Sequence, residues 1–382
     1  MSDQGCRRAA WAYLSRVAQG PCAPLLELVD SVGVLDAARA VREWDLPAAL
    51  RKVTAARRHL DTAEHDLDVV ARMGGRLITP DDDEWPAWRM LAFDPSARHP
   101  GERPGRECVA PLTLWAYGAG SLLPLTERSI AVVGTRAPSP YGETATGDIV
   151  GDLAGQGWTI VSGAAFGIDA AAHRAALAVG APTIAVLACG IDQIYPSSHA
   201  RLLRAIAEAG LVISEYPPGV GPAKYRFLAR NRMVAALSEA VVVVEAGNRS
   251  GARNTAGWAR RLGRPALAVP GPITSATSVG CHRMIREGEA RLVTRASEVL
   301  DEAGPLTLPL TTDAAEERPT DALSEKELLV YEAFPAVGTR MPRQLSEDSG
   351  VAIGDVRAVL PLLELAGFVG TDGVGWFRMA RP

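Results

Sequence analysis

No run of apolar residues in this chain approaches the length of about 20 that a membrane-spanning helix needs. The first residues, MSDQGCRRAAWAYL, hold no apolar core long enough for a secretory signal. A cytoplasmic protein without a membrane partner is expected. Cysteine is sparse: Cys6, Cys22, Cys108, Cys189 and Cys281 are scattered, with no C-x-x-C pair. Neither a disulfide framework nor a zinc site is suggested, and no metal is expected. Two phosphate-binding signatures are also missing. There is no G-x-G-x-x-G dinucleotide fingerprint, and no Gly-Lys-Ser or Gly-Lys-Thr to complete a Walker loop. No nucleotide cofactor is expected. Excess positive charge is lacking too, since the net charge is −4, which taken alone speaks against a nucleic-acid binder.

What is present is a soluble globular composition, 47% apolar and 22% charged, in 382 residues, enough for two or three domains. The net charge hides an asymmetry. Between Lys224 and Arg264 nine Lys and Arg face only Glu239 and Glu245, a local charge of +7, whereas residues 313–332 carry −5. A basic stretch inside an acidic protein fits either a local polyanion site or a solvated helical face.

Residues 1–75 read as helices with short turns, from apolar positions three and four apart. Residues 76–114 form an irregular connector rich in Pro and acids, closing on the strand-like LTLWAYG. Over 115–302 apolar runs alternate with helical segments: SIAVVG, WTIVSG, TIAVLACG, LVISEY, AVVVVEA, PALAVPG and ARLVT. Continuous apolar strands separated by helices predict a parallel sheet covered on both faces, so the fold class is α/β, doubly wound and mostly parallel, with a Rossmann-like central domain. Ligands of such folds sit at the carboxyl ends of the strands. Residues 303–321 read as a Pro/Thr/acidic linker. The remaining 322–382 show three helices and a hairpin turning at Asp372-Gly373, a winged-helix pattern. Its would-be recognition helix, 353–366, is mostly apolar, which fits docking or regulation better than reading a major groove.

The stretch IVSGAAFGIDAAAH, Ile160 to His173, is the most informative one. A strand ends in Ser162 and Gly163, and Gly167 opens a helix whose N-terminus offers backbone N–H groups and a dipole to an anion. Asp169 and His173 stand one turn apart and resemble an acid–base pair. No nucleophile or metal set completes a catalytic site, so a structural role is the preferred reading. In the turn VGTRAPSPYG, Gly134 allows a tight bend, Thr135 supplies a hydroxyl and Arg136 a forked guanidinium suited to phosphate. The alternative for Arg136 is a surface ion pair. In GPAKYRFLARNRMVAALSEA, Lys224, Arg226, Arg230 and Arg232 are interleaved with Tyr225 and Phe227, with Asn231 between two arginines. Cations that track phosphates beside rings that stack bases suit a single strand. SGARNTAGWARR then opens another helix with small hydroxyl residues.

The motifs VGTR, IVSGAAFGIDAAAH, AVLACGIDQIYP, LVISEYPPG, FLARNRMVAALS, VVVVEA, SGARNTA, AVPGPITS and SVGCHRMIREG, in this order, resemble the DprA/Smf family of bacterial DNA-processing proteins over residues 115–295. The resemblance implies a SAM or helix-hairpin-helix-like N-terminal domain and a Rossmann-like domain that binds single-stranded DNA without chemistry. It further implies a homodimer that helps load the RecA recombinase onto strands covered by single-strand-binding protein, in natural transformation and homologous recombination. Carried onto this chain, the DNA contacts are Gly134, Thr135, Arg136, Ser162, Gly163, Lys224, Phe227, Arg230, Asn231 and Arg232. Leu228 departs from the family's usual proline, Arg253-Asn254 replace small or apolar residues, and His282 stands where Asn is common. The competing reading is a nucleotide-processing enzyme of the Rossmann-like phosphoribohydrolase type. Its P-G-G-x-G-T loop is not preserved at Glu245-Ala246-Gly247-Asn248, although Glu245 could serve as an acid.

Overall fold

The computed structural model describes residues 3–94, 108–248, 250–303, 320 and 323–379. It divides into two compact units, 1–307 and 308–382. Apart from residues 303 and 320, the expected linker lies outside the described residues, as does Arg249 of the basic stretch.

The first unit begins with five helices, α1 (Asp3–Ala18), α2 (Ala23–Val32), α3 (Val34–Glu43), α4 (Ala48–Thr54) and α5 (Ala63–Arg72). Then come β1 (Gly75–Ile78), the short α6 (Ala87–Met90), β2 (Leu114–Tyr117) and α7 (Leu122–Glu127). The alternating region follows as β3 (Ser129–Gly134), α8 (Pro140–Gly155), β4 (Thr159–Ser162), α9 (Ile168–Ala178), β5 (Thr183–Leu187), α10 (Ala200–Ala209), β6 (Leu211–Ser214) and α11 (Lys224–Ala236). It closes with β7 (Ala240–Val244), α12 (Gly251–Arg261), β8 (Ala266–Val269), α13 (Val279–Arg286), β9 (Arg291–Leu292) and α14 (Ala296–Ala303). Each expected central strand forms; β3 keeps its whole run, and the other six are shortened by a residue or more. The sheet runs β1-β2-β6-β5-β4-β3-β7-β8-β9 and is parallel from β6 to β9.

Two features differ from expectation. The connector supplies a strand of its own, β1, and β1 and β2 join the sheet antiparallel beyond β6. The helical segment is also not set apart at residue 75. Trp11, Tyr13, Leu14, Leu25 and Val41 share one buried core with Leu77, Leu112 and Trp115, and the Trp115 indole donates to the Ser15 hydroxyl (3.1 Å). The helices bury their apolar faces against the antiparallel edge of the sheet, so residues 1–114 and the central sheet make one compact unit. Helix-coated apolar strands explain the rest. Ile130, Val132, Ile160 and Val242 pack under α8, α9 and α14, while Val133, Val161 and Val243 pack under α11 to α13.

Chain order places the site. From β3 the chain steps outward to β4, β5 and β6, then returns across β3 to β7. The carboxyl ends of β3 and its neighbours β4 and β7 therefore border a crevice at the switch in winding direction. The second unit holds α15 (Glu325–Glu332), β10 (Thr339–Arg340), α16 (Pro342–Ser349), α17 (Ile353–Leu365), β11 (Val369–Thr371) and β12 (Trp376–Arg378). Its three antiparallel strands run β10-β12-β11, around a separate core that includes Val330, Leu345, Val356, Leu363 and Val369.

Candidate nucleic-acid interface

A cavity of about 430 Å³ opens at the switch point, lined by the Gly134-Thr135-Arg136 turn, by Gly163 and Asp169, by Phe227, Arg230 and Asn231 of α11, and by Gly247, Ser250 and Thr255 before and within α12. Four sequence motifs far apart in the chain thus meet. Gly134 is required where it stands: a Cβ there would collide with the Val244 carbonyl and the Ile168 side chain. The turn is held from both sides, with Thr135 N donating to the Glu245 carbonyl (2.8 Å) and the Thr135 carbonyl accepting from Ile168 N (3.1 Å). This leaves Arg136 exposed, with its guanidinium carbon 5.6 Å from the centre of the Phe227 ring. No carboxylate pairs with it among the described residues, so the surface ion pair weighed for Arg136 does not form.

Glycine 163 is hemmed in differently. Its missing Cβ would meet the Arg230 guanidinium and the Asp169 carboxylate, which come together only because this residue has no side chain. Arg230 is buried, and its Nη1 donates to the carbonyls of Gly163 (2.8 Å) and Val186, while Nε reaches Asn231 Oδ1 (3.3 Å). Arg230 is one of the residues that line the cavity. Burial lowers the Arg230 pKa, with Asp169 opposing the shift. Burial likewise raises the Asp169 pKa against the attraction of Arg230. Asn231 is tied to Asn254 Oδ1 (3.2 Å), which makes it a strut between α11 and α12 with one edge on the cavity.

Several sequence expectations change here. The amide cradle of IVSGAAFGIDAAAH is largely filled from within, because Asp169 Oδ2 accepts from Gly163 N (3.2 Å) and Ala165 N (3.4 Å). The exposed helix start facing the cavity is instead that of α12, capped by the Ser250 hydroxyl, which accepts from Ala252 N (3.1 Å). Ser162 is fully buried and donates to the Val132 carbonyl (2.6 Å), so it ties strands together and does not face the cavity. Arg232 is fully buried as well. It forms a two-pronged pair with Glu215 (2.6 and 2.9 Å) and donates to the Val109 carbonyl (3.1 Å), so it is a core residue and not a groove cation. Lys224 is exposed at the start of α11, outside the residues that line the cavity.

The basic stretch loses most of its surface charge by the same accounting. Arg253 pairs with Glu287 (3.1 Å) and Glu289 (2.8 Å), Arg260 with Glu289 (3.8 Å) and Arg264 with Glu239 (3.8 Å). With Arg230 and Arg232 inside, the +7 run is not a basic face. The positive character of the cavity rests on Arg136 and Arg230. Phe227 borders it, and beyond Phe227 further rings follow around a smaller neighbouring pocket: Tyr195 lies 5.4 Å from Phe227, and Phe166, half exposed, sits edge-on to His199 at 4.8 Å. Phe166 and Tyr195 were missed in the sequence, although each lies in the loop that follows a strand, β4 and β5.

The candidate acid–base residues are engaged by hydrogen bonds inside the protein. His173 is fully buried, and its Nδ1 lies 2.7 Å from the Thr183 hydroxyl, which itself donates to the Ile160 carbonyl (2.6 Å). Nδ1 therefore carries the proton. Burial pushes the imidazole pKa down to about 3, so the ring is neutral. Glu245, in a left-handed backbone conformation (φ 54°), accepts from Ser139 N (2.8 Å), the Ser139 hydroxyl (2.6 Å) and the Thr277 hydroxyl (2.6 Å). Burial works against its charge, but these hydrogen bonds outweigh it and hold the carboxyl below the ordinary range. Its lone pairs are committed to the start of α8 and to the loop before α13.

The profile of the family described as DNA recombination-mediator protein A matches residues 76–304. The chain belongs to that family. A Mycobacterium tuberculosis protein carrying the DprA name is 49% identical over 359 residues, 94% of this chain and 91% of the relative. The Smf protein of Escherichia coli is 39% identical over 268 residues, 69% of this chain and 71% of its own. The X-ray structure of DNA processing protein A from Streptococcus pneumoniae superposes with a TM-score of 0.63 at 32% identity, covering 78% of this chain and 98% of that one. The motif order that resembled the DprA/Smf family thus marks true membership. The family match spans β1 to α14, so it includes every strand that borders the cavity.

Proposed function

We propose that the cleft at the β3/β7 switch point binds single-stranded DNA without sequence preference and without catalysing a reaction on it. The observation that carries this reading is the meeting of Arg136, Phe227 and Arg230 in one cavity: an exposed guanidinium over a ring that can take a stacked base, and a buried guanidinium in the same lining. Guanidinium forks suit phosphate, and ring stacking tolerates any base. The internal engagement of His173 and Glu245 supports a binding role over nucleotide processing. Release of free base from nucleoside monophosphates would reverse that preference.

The test is a titration of labelled oligo-dT by fluorescence anisotropy at two salt concentrations. Tight binding to oligo-dT, weaker binding to duplex, and a log–log salt slope of at least about −1.4 from two neutralised phosphates are expected. Arg136→Ala should weaken binding to every sequence by about tenfold or more, with folding intact. Unchanged affinity would remove the cleft from consideration.

The family's description as a recombination mediator supports a further step in the proposal. The bound strand is passed to a RecA recombinase on DNA covered by single-strand-binding protein, with the chain acting as a homodimer. Stimulation of RecA ATPase on covered single strands reads the first point, and sedimentation the second. No stimulation would sink the loading role while leaving the binding reading in place.

A further inference from the structure

Cationic surface continues beyond the cleft, onto the seam between α11 and the N-terminal helices. Lys224 stands one turn before Phe227 on the same side of α11, and the Tyr225 ring, 60% exposed, follows next around the helix. Arg226 reaches across the seam, donating Nη2 to Gln19 Oε1 (3.4 Å) and Nη1 to the Gly221 carbonyl, with its guanidinium carbon 5.3 Å from the Tyr225 ring centre. From the other side Arg57, three residues past α4, donates Nε to the Val17 carbonyl and Nη2 to the Ala18 carbonyl, both at 2.8 Å. Its Nη1 has no partner among the described residues and is not enclosed. Burial lowers the Arg57 pKa, Tyr225 opposes that shift, and the like charge of Arg226 adds to it, which places the three groups within electrostatic reach of one another.

The chemistry of this cluster is unusual because its partners are carbonyls. Among the described residues no ion pair holds Arg57, Arg226 or Lys224, while Asp66 pairs with Arg16, Asp61 with Arg42 and Glu215 with Arg232. Carbonyl hydrogen bonds fix a guanidinium in place without cancelling its charge. Arg57 and Arg226 therefore sit as cations held by neutral partners beside the exposed Tyr225 ring, and Lys224 stands on the neighbouring side of α11, one turn from Phe227. Attraction of an anion is the general consequence. An extended polyanion with stackable faces uses both the charge and the ring.

We propose that this seam is a second contact for the same single strand: past Phe227 the backbone crosses Lys224 and the unpartnered edge of Arg57, and a base stacks on Tyr225. The proposal rests on the reading of the cleft as a single-strand site, and it makes the N-terminal helices part of the binding surface. It predicts that affinity depends on strand length, because a short strand fills the cleft alone.

The experiment uses the full chain with oligo-dT probes of about 6 and about 20 nucleotides, near the short end and beyond the long end of single-strand site sizes. The parent should bind the long probe more tightly. Tyr225→Ala should weaken the long probe by about five- to tenfold, the size of one lost stack, and leave the short probe within about twofold. Arg57→Gln should do the same and lower the magnitude of the long-probe salt slope by about 0.7. Arg57 also caps α1, so thermal melts accompany it; if that variant fails to fold, Tyr225→Ala decides the matter. Arg136→Ala should weaken both probes. Long-probe affinity unchanged by Tyr225→Ala, with Arg136→Ala still weakening both, would overturn the seam and leave the cleft standing. Both probes unaffected by Arg136→Ala would overturn the cleft reading and the seam with it.

Discussion

Residues of one type play opposite parts here, and burial decides which. Arg136 and Arg232 both belong to family-like motifs, but one is exposed beside a ring and the other is sealed against Glu215. Removing one partner of a buried pair leaves the other charge uncompensated, at about 3–5 kcal/mol. Arg232→Ala should therefore appear as a large drop in the urea midpoint. Loss of oligo-dT affinity with the midpoint unchanged would contradict its placement in the core. His173 gives a pH signature with a definite sign. Its folded pKa is pushed down to about 3, below the ordinary value near 6.5, so on acidification the unfolded chain takes up a proton that the folded chain refuses. Its stability contribution is complete above about pH 6.5 and is lost as pH falls toward 3. Between about pH 7.5 and about pH 5.5 this amounts to about 1.4 kcal/mol. His173→Asn should flatten the pH dependence of the urea midpoint by that amount, and an undiminished slope would assign it to other groups.

Among the elements, close approach between strand ends sets the geometry of the site. Gly134 and Gly163 close the first and second central strands, and each admits a neighbour where a side chain would stand. Gly163→Ala would drive a methyl group into Arg230 and Asp169. Arg230 is anchored by two carbonyls, so overpacking of about 1–3 kcal/mol and several-fold weaker oligo-dT binding are expected together. Wild-type affinity in this variant would show that Arg230 does not need its present position. The strands and helices themselves were legible in the sequence, because continuous apolar runs between amphipathic segments have few other solutions. β1 was not: its four residues, GRLI, are too short and too mixed to stand out, and they pair only because β2 offers an edge. Which amides remain open was equally hidden. Asp169 reads as a helix-start acid in the sequence, but only folding turns its carboxylate back onto Gly163 and Ala165.

For the whole molecule, the N-terminal helices and the sheet share a core, whereas residues 308–382 have a core of their own. A chain ending after α14 should therefore melt cooperatively and keep its oligo-dT affinity within about twofold. A loss of tenfold or more would give the C-terminal unit a direct part in binding. Among the described residues no helix is long and apolar enough to cross a membrane.

By itself the sequence determined the α/β class, the order of the central strands and helices, and the family, because these follow from local periodicity and from long motifs in fixed order. It also placed Gly134, Arg136, Gly163, Phe227 and Arg230 near one edge, since strand ends of a doubly wound sheet converge. Only the tertiary structure decided which charges stay available. The run from Lys224 to Arg264 carries nine cations on paper, yet ion pairing and burial remove most of them from the surface. Charge is a property of residues, but field is a property of where their counter-charges end up, and Glu215, Glu239, Glu287 and Glu289 reach their arginines only after the chain has folded.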